Sequence, residues 1–376
     1  RITLNISQAY KNDGSYYCTG MFVIVEGIYS GSGGTETASV GSGVGGCFHV
    51  SNMGQPSSER RDISSAAFGE LDFMGLQESE GKVAESNHIM RVDRPFRKQL
   101  QAIEKQHAHK MIFLGVDCHL DSEKVMLGLK KLFQRLENEI LEGEEILNIV
   151  FSGSFVLTPL TATSTSPTAV SASAEYKNLF DQLAVVLSKF PTLVSSCQFV
   201  FIPGSEDPWQ STFSMGGSSS QAWPQKGIPS VFMSRLARII PKENLVAAWN
   251  PTRINYLLQE IAIMRDDINL KLKRNDIIFP NEVEEERVKE EQKQHDPNFV
   301  EPPTHVPTKG RRARKLVKTI LDQGFMKPFK SDLKAIKPYY DFALRSEPLP
   351  TVRTMNDATI GRCEAKCKGC KWVNVG

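Results

Sequence analysis

The sequence predicts a mixed α+β and α/β chain, with a small β-barrel followed by a layered domain built on parallel strands. Three observations predict it. Residues 1–96 hold several short β-rich runs separated by Gly-, Ser- and Pro-containing turns, with little helical period. Residues 111–208 hold three short apolar runs, at 111–116, 150–155 and 199–202, and each ends in a small or acidic turn. Segments of helical period separate those runs, which gives the order strand, helix, strand, helix, strand.

In the barrel region, Leu4-Asn5-Ile6-Ser7 alternates like a strand, and Phe22-Val23-Ile24-Val25-Glu26-Gly27 is a second β-rich run. Residues 31–46 are mostly Gly, Ser and Thr, a hairpin tip or insertion. Phe48-His49-Val50 resumes as a strand, Gly54-Gln55-Pro56 is turn chemistry, and residues 68–75 give one more short strand. The barrel is therefore expected over 1–96. A connector with helical potential follows over 97–110. Arg91, Arg94, Arg97, Lys98, Lys105 and Lys110 lie around it and fit either phosphate contact or a solvated face.

The layered domain is expected over 111–376. Val125, Leu129, Leu132, Phe133, Leu136 and Ile140 recur at helical spacing after the first strand, and Leu179, Leu183, Val186, Leu187 and Phe190 do so after the second. Low-complexity insertions are expected near 157–174, 211–226 and 282–310. Further strands are expected at 230–233 and 245–249. Residues 253–257 and 260–264 form a hairpin, with Asp266-Asp267 capping a short helix after it. Arg311-Arg312-Ala313-Arg314-Lys315 opens a helix that Gly324 ends, and fits a nuclear address, a phosphate contact or a solvated helix start.

Composition sets outer bounds. The chain has 376 residues, enough for more than one domain, and a net charge of +2 argues for neither a nucleic-acid nor a membrane partner by itself. Seven widely spaced cysteines do not suggest a disulfide framework, so a reducing compartment is expected. No run of about 18 apolar residues occurs, so no membrane span is expected. The chain opens on Arg1 and closes on Val375-Gly376, and a piece of a longer protein is expected.

In an open parallel sheet, ligands bind beyond the carboxyl ends of the strands. The three turns there carry Asp117-Cys118-His119, Gly153-Ser154 and Gly204-Ser205-Glu206-Asp207. Their spacing resembles a calcineurin-like phosphoesterase, in which the turns would read Asp-x-His, Gly-Asp and Gly-Asn-His-Asp. The resemblance implies a two-layer β-sandwich with flanking helices, and it makes Asp117, His119, Ser154, Ser205, Glu206 and Asp207 vestigial positions. Ser154 stands where a bridging aspartate belongs, and Ser205 and Glu206 stand where asparagine and histidine belong. Serine hydroxyls neither offset the charge of two divalent ions nor coordinate them well. After Glu206 only His295 and His305 remain as imidazoles, both in a charged, Pro-rich tract. No catalytic residue, metal or cofactor is therefore assigned. Asp117 and Asp207 are expected to accept hydrogen bonds from backbone amides in their turns.

A barrel joined to such a domain resembles the B subunits of eukaryotic replicative DNA polymerases, and the polymerase epsilon branch in particular. Leu4-Asn5-Ile6-Ser7-Gln8-Ala9, Gly69-Glu70-Leu71-Asp72-Phe73-Met74-Gly75, Phe199-Val200-Phe201-Ile202-Pro203-Gly204 and Leu316-Val317-Lys318-Thr319-Ile320-Leu321 carry the likeness, with Tyr340-Asp341-Phe342-Ala343-Leu344-Arg345 near the end. Val375 stands where that family usually has proline, and His119 restores an Asp-x-His it has generally lost. The resemblance implies a small OB-type β-barrel and a non-catalytic accessory subunit in nuclear DNA replication. It implies binding to the zinc-containing C-terminal region of the catalytic subunit of DNA polymerase epsilon, with DNA contact indirect or weak. The family reaches the replicative helicase through an N-terminal region that this sequence does not include.

Other readings stay open on the residues. One is an active metal-dependent phosphoesterase with altered ligands, resting on Asp117, His119 and Asp207. A second is a B subunit of polymerase alpha or delta. A third is a single-strand DNA binder that stacks bases on Tyr16, Tyr17, Phe22, Tyr29, Phe48 or Phe73, residues that equally fit a barrel core. Cys363-x3-Cys367-x2-Cys370 has a zinc-knuckle pair but no evident fourth ligand.

Overall fold

The structure, a computed structural model, describes residues 2–11, 14–31, 46–72, 90–157, 172–207, 222–284, 287, 308–330, 335–337, 339–346 and 348–376. It divides into two compact units, one of Arg1–Ser58 with Asn269–Lys330 and one of Glu59–Ile268 with Ser331–Gly376.

The first unit carries a four-stranded sheet of β1 (Thr3–Asn5), β2 (Tyr10–Lys11), β3 (Ile24–Ser30) and β4 (Cys47–Gly54). β4 is the hub: β1 and β2 pair with it in parallel, and β3 pairs antiparallel with a register shift between Glu26 and Gly27. The bulge sits where the chains approach closely, since a Cβ on Gly27 would lie 1.9 Å from the His49 carbonyl oxygen. The core of this unit gathers Ala9, Tyr17, Val50 and Met53 around Phe279. The Tyr17 and Phe279 rings meet edge to face at 5.7 Å.

The division of the chain differs from the expected one. Residues 59–72 and 90–91 group with the second unit, and residues 269–330 return to the first. The return has a local cause. Ile277 N–H donates to the Tyr17 carbonyl (2.7 Å), Asn281 Nδ2 donates to the Ala9 carbonyl (3.1 Å), and between them Phe279 is fully buried in the core of this unit. A buried phenylalanine contributes about 1.5–3 kcal/mol, which offsets the closure of a long connection. The helix Thr308–Gln323 ends at Gly324, whose φ of 62° suits glycine.

In the second unit, β5 (Leu71–Asp72) and β6 (Met90–Arg91) form a small antiparallel pair, and residues 61–68 are a helix. Of the strand expected over 68–75, residues 68–72 contribute a helix end and a two-residue strand, with Gly69 at φ 74° between them, and residues 73–75 lie outside the described residues. Next come β7 (Lys110–Phe113), β8 (Ile146–Ser152), β9 (Gln198–Ile202) and β10 (Leu245–Ala247), all parallel, in the order β10-β9-β8-β7. The helices Glu123–Leu141 and Ala172–Leu187 connect β7 to β8 and β8 to β9, and bury Phe133, Leu136, Phe180 and Leu183. Phe133, Phe151, Phe155, Phe180, Phe199 and Phe201 form the centre of this core, with Phe151 stacked on Phe201 at 4.6 Å.

The expected strand at 230–233 is not one. Phe232 N–H donates to the Pro229 carbonyl (3.0 Å) and Met233 N–H to the Ser230 carbonyl (3.1 Å), a turn leading into the helix Leu236–Ile239. The apolar side chains there pack on the helical layer and do not join a ladder. The remaining strands are β11 (Thr252–Tyr256), β12 (Gln259–Arg265), β13 (Val352–Asn356), β14 (Cys363–Cys367) and β15 (Cys370–Asn374). They form a second sheet in the order β11-β12-β13-β15-β14, whose first pair is the expected hairpin. Val150, Val200 and Ile202 of the first sheet share an apolar cluster with Ile261 and Ile263 of the second.

Candidate functional site

Parallel strands end together, so the polar turns beyond β7, β8, β9, β12, β13 and β15 of the second unit can meet. β7, β8 and β9 carry Asp117, Ser154 and Asp207 just past their carboxyl ends, and the second sheet brings Arg265, Asn356 and Asn374 at the last residue of their strands.

Asp117 is held by two elements. Its Oδ1 accepts the Ser154 N–H (2.5 Å) and the Arg265 Nε–H (2.9 Å), while Oδ2 accepts from Arg265 Nη2 (2.6 Å). This is a two-pronged guanidinium–carboxylate pair, the strongest geometry such groups adopt. Arg265 is 3% exposed; its Nε–H is shared with the Gly153 carbonyl (3.1 Å), and Nη1 donates to the Asn356 carbonyl (3.1 Å) and Asp267 Oδ1 (2.8 Å). Burial pulls the guanidinium pKa down. The hydrogen bonds and charges of Asp117 and Asp267 more than offset this, so the net shift is upward. The short helix expected after Asp266-Asp267 is present at Ile268–Asn275, and the Asp267 carboxylate has other partners. It accepts from Arg265 and from the Ala358 N–H (3.0 Å).

Asp207 is buried and fully engaged. Its Oδ1 accepts from the Phe155 N–H (3.1 Å) and the Tyr176 hydroxyl (3.0 Å), and its Oδ2 accepts from the Gly204 N–H (2.7 Å). Burial raises its pKa to about 7, against the lowering effect of those hydrogen bonds. The turns after β8 and β9 approach because both carry glycine. A Cβ on Gly204 would lie 2.2 Å from the Ser154 nitrogen, and one on Gly153 would lie 2.5 Å from the Gly204 nitrogen. Ser154 Oγ accepts the Glu206 N–H (3.0 Å), and Ser205 Oγ donates to Glu206 Oε1 (3.1 Å). His119 joins through its backbone, its N–H donating to the Asp117 carbonyl at 2.9 Å. Among the described residues its ring makes no hydrogen bond.

Asparagines lock the surrounding strand ends. Asn250 Nδ2 donates to the Pro203 carbonyl (3.0 Å) and the Arg265 carbonyl (2.8 Å), and its Oδ1 accepts the Arg265 N–H (3.1 Å). Asn356 Nδ2 donates to Ser152 Oγ. Asn374 ties the last strand to Asp357 and Gly361. Sequence reasoning missed Arg265 and these asparagines. The available signal was a charged residue closing the run Ile261-Ala262-Ile263-Met264, where the chain has no local reason to bury a charge.

His295 and His305 lie outside the described residues, as does most of each expected insertion. Cys363, Cys367 and Cys370 fall on the antiparallel pair β14–β15, with Cys367 opposite Cys370. Among the described residues they belong to no group of three or more His, Cys, Asp or Glu side chains whose ligand atoms converge. Of the barrel aromatics, Tyr16 and Tyr17 are buried, Phe48 is half-buried, and Phe22 and Tyr29 are exposed. Phe73 is outside the described residues.

Residues 112–360, which include Asp117, Ser154, Asp207, Arg265 and Asn356, match the family of the DNA polymerase alpha/epsilon B subunit. The chain belongs to that family. Residues 1–57 also match the family described as DNA polymerase epsilon subunit 2-like, OB-fold domain, which identifies the sheet of the first unit. The DNA polymerase epsilon B subunits of two yeasts are similar over the whole chain. The one from Debaryomyces hansenii is 48% identical, and this chain covers 57% of it. The one from Saccharomyces cerevisiae is 35% identical, with 52% of it covered. The DNA polymerase epsilon B subunit of Arabidopsis thaliana is 27% identical over 84% of this chain, with 49% of it covered. The chain thus spans about half the length of the curated relatives it matches. Among the described residues, no helix is long and apolar enough to cross a membrane.

Proposed function

We propose that this chain is the barrel-and-scaffold part of a non-catalytic accessory subunit of a nuclear DNA polymerase epsilon assembly, and that it binds the catalytic subunit. Relatives named as the DNA polymerase epsilon B subunit, two of them similar from end to end of this chain, support that reading. The finer partner is the zinc-containing C-terminal region of the catalytic subunit. Contact with DNA is indirect or weak, and contact with the replicative helicase belongs to a region outside this sequence.

The second unit is read as a calcineurin-like phosphoesterase sandwich without its chemistry, with Asp117, His119, Ser154, Ser205, Glu206 and Asp207 as vestigial positions. One observation carries the loss: the Arg265 guanidinium is bound through two nitrogens to Asp117. A pair of divalent ions does not fit this donor set. The cation partner of Asp117 is already a fixed side chain. Ser154 offers a neutral hydroxyl that is occupied by the Glu206 N–H, and both oxygens of Asp207 are taken by hydrogen-bond donors. The test has two arms. The purified chain with Mn²⁺, Mg²⁺ or Zn²⁺ should hydrolyse phosphomonoesters and phosphodiesters no faster than background, and turnover abolished by Asp117→Ala would refute the loss of chemistry. Co-expression with the polymerase epsilon catalytic subunit should yield a stable complex, and failure to co-purify would refute the scaffold role.

A further inference from the structure

At the amino-terminal edge of the parallel sheet, at the opposite end of β7 and β8 from Asp117, three metal-ligating side chains meet. His107 and His109 lie in the segment that joins the helix Arg94–Gln106 to β7, and Glu145 directly precedes β8. The backbone is extended at His107 (φ −113°, ψ 128°), and residues two apart on an extended chain point the same way. The two imidazoles accordingly stack, with centroids 5.2 Å apart and planes 13° from parallel. Sheet pairing supplies the third group, because the Lys110 N–H donates to the Glu145 carbonyl (2.8 Å) and fixes Glu145 beside the His-x-His segment.

We propose that His107, His109 and Glu145 form a zinc-binding site, with water in the fourth position. Glu145 Oε2 lies 3.2 Å from His107 Nδ1 and 2.8 Å from His109 Nε2, and the three ligand atoms lie within 4.8 Å of one another. Zinc bonds of about 2.0–2.2 Å at a tetrahedral angle separate neighbouring donors by roughly 3.3 Å. The Glu145 oxygen thus stands within about 0.5 Å of that spacing from each imidazole nitrogen, and the two nitrogens lie within 4.8 Å of one another. Among the described residues no other group of three or more His, Cys, Asp or Glu side chains converges so closely.

Two surrounding contacts favour a metal over a bare His–Glu contact. The other nitrogen of His109, Nδ1, is hydrogen-bonded to the Tyr256 hydroxyl, which fixes the ring and leaves Nε2 for the ion. Lys110, the next residue after His109, is drawn aside to Glu139 (3.4 Å) and Glu144 (3.0 Å). Two imidazoles with one carboxylate suit zinc and its neighbours in the first transition row and disfavour Mg²⁺ or Ca²⁺, which take oxygen sets. The site stands whether or not the chain serves a polymerase.

The experiment is a zinc titration of the full 376-residue chain, stripped with EDTA, in competition with a chromogenic chelator. A Cys363→Ser, Cys367→Ser background removes two half-exposed thiols that would compete. One zinc per chain is expected, weakened at least ~10-fold by His107→Ala, His109→Ala or Glu145→Gln. Tyr256→Phe should weaken it about 10-fold, with the zinc-free melting temperature unchanged. Zinc should raise the melting temperature of the parent and not of the histidine variants. Zinc binding that is absent, or that survives both histidine substitutions, would overturn the proposal. If His109→Ala lowers the zinc-free melting temperature, His107→Ala decides, because its ring is exposed.

Discussion

Arg265 and Asp117 stand 148 residues apart in sequence and are joined by two hydrogen bonds, Nε to Oδ1 at 2.9 Å and Nη2 to Oδ2 at 2.6 Å. The pair links the last residue of β12 in the second sheet to the turn after β7 in the first. Asp117 has φ 56°, a left-handed backbone, and its carboxylate also accepts the Ser154 N–H. One ion pair therefore holds three chain segments at the mouth of both sheets.

Breaking this pair from either side should be costly. Arg265→Leu removes the buried cation and leaves Asp117 facing only a backbone N–H. Asp117→Asn leaves the guanidinium with Asp267 alone as a charged partner. Each should lower stability by about 3–5 kcal/mol, the usual result of orphaning one member of a buried pair. Urea unfolding measures it. The outcome matters for Asp117→Asn in particular. Its turn position suggested a carboxylate bonded only to amides, for which an isosteric amide would cost little. A loss below about 1 kcal/mol in both variants would show that the pair is solvated and weak.

Asp207 makes stability depend on pH. Its pKa is about 7 when folded and that of an ordinary carboxylate when unfolded, so the folded state binds the extra proton between those values. Its stabilising contribution is complete below about pH 4, and it is lost as pH rises through 7. Asp207→Asn cannot titrate. The stability of the parent relative to this variant should therefore fall between pH 4 and pH 7.5, by on the order of 4 kcal/mol. Denaturant midpoints of both proteins across that range give the difference. A difference that is flat or rises with pH would place the folded pKa near or below the ordinary value.

Gly204→Ala tests the close approach of two turns. Its Cβ would meet the Ser154 nitrogen at 2.2 Å and the Gly153 carbonyl carbon at 2.3 Å, both backbone atoms that no rotamer change can move. The turns after β8 and β9 must separate, which stretches the Glu206 N–H bond to Ser154 Oγ and the Asp207 bonds that span them. A loss of ~1–3 kcal/mol is expected, by thermal or urea unfolding. The same change at Gly128, where nothing lies within 4 Å of a Cβ, is the control and should be neutral or stabilising.

The aromatic centre of the parallel sheet should dominate the stability of the second unit. Phe151 is fully buried, stacks on Phe201 at 4.6 Å and lies 6.3 Å from Phe133. Phe151→Ala should lower stability by about 3–5 kcal/mol, while Phe151→Leu should retain most of it. Unfolding followed by near-ultraviolet circular dichroism reports on this cluster, and equal losses in both variants would mean that the cavity collapses.

The first parallel sheet was legible in the residues because each of its elements announces itself locally. Apolar runs such as Ile149-Val150-Phe151 are buried on both faces, and Leu129, Phe133 and Leu136 recur with the period of one helix face. The turns were legible too, since Asp117, Ser154 and Asp207 fall where parallel strands must end. Such signals span a few residues and need no knowledge of what lies across the core. Other features depend on partners far along the chain. Phe279 is an apolar residue in a charged tract until the core of the first unit receives it. Ser230 to Met233 read as a strand, but their neighbours in space are helices, so hydrogen bonding closes them into a turn. β13, β15 and β14 take their order from pairings that no local periodicity encodes. Arg265 is the sharpest case. The sequence by itself determined that a carboxylate stands after the first strand and that serines stand in the two turns beside it. Only the tertiary structure decided that a guanidinium meets it. A buried charge takes its partner from whatever element the fold brings within hydrogen-bond reach, and here that element lies 148 residues away.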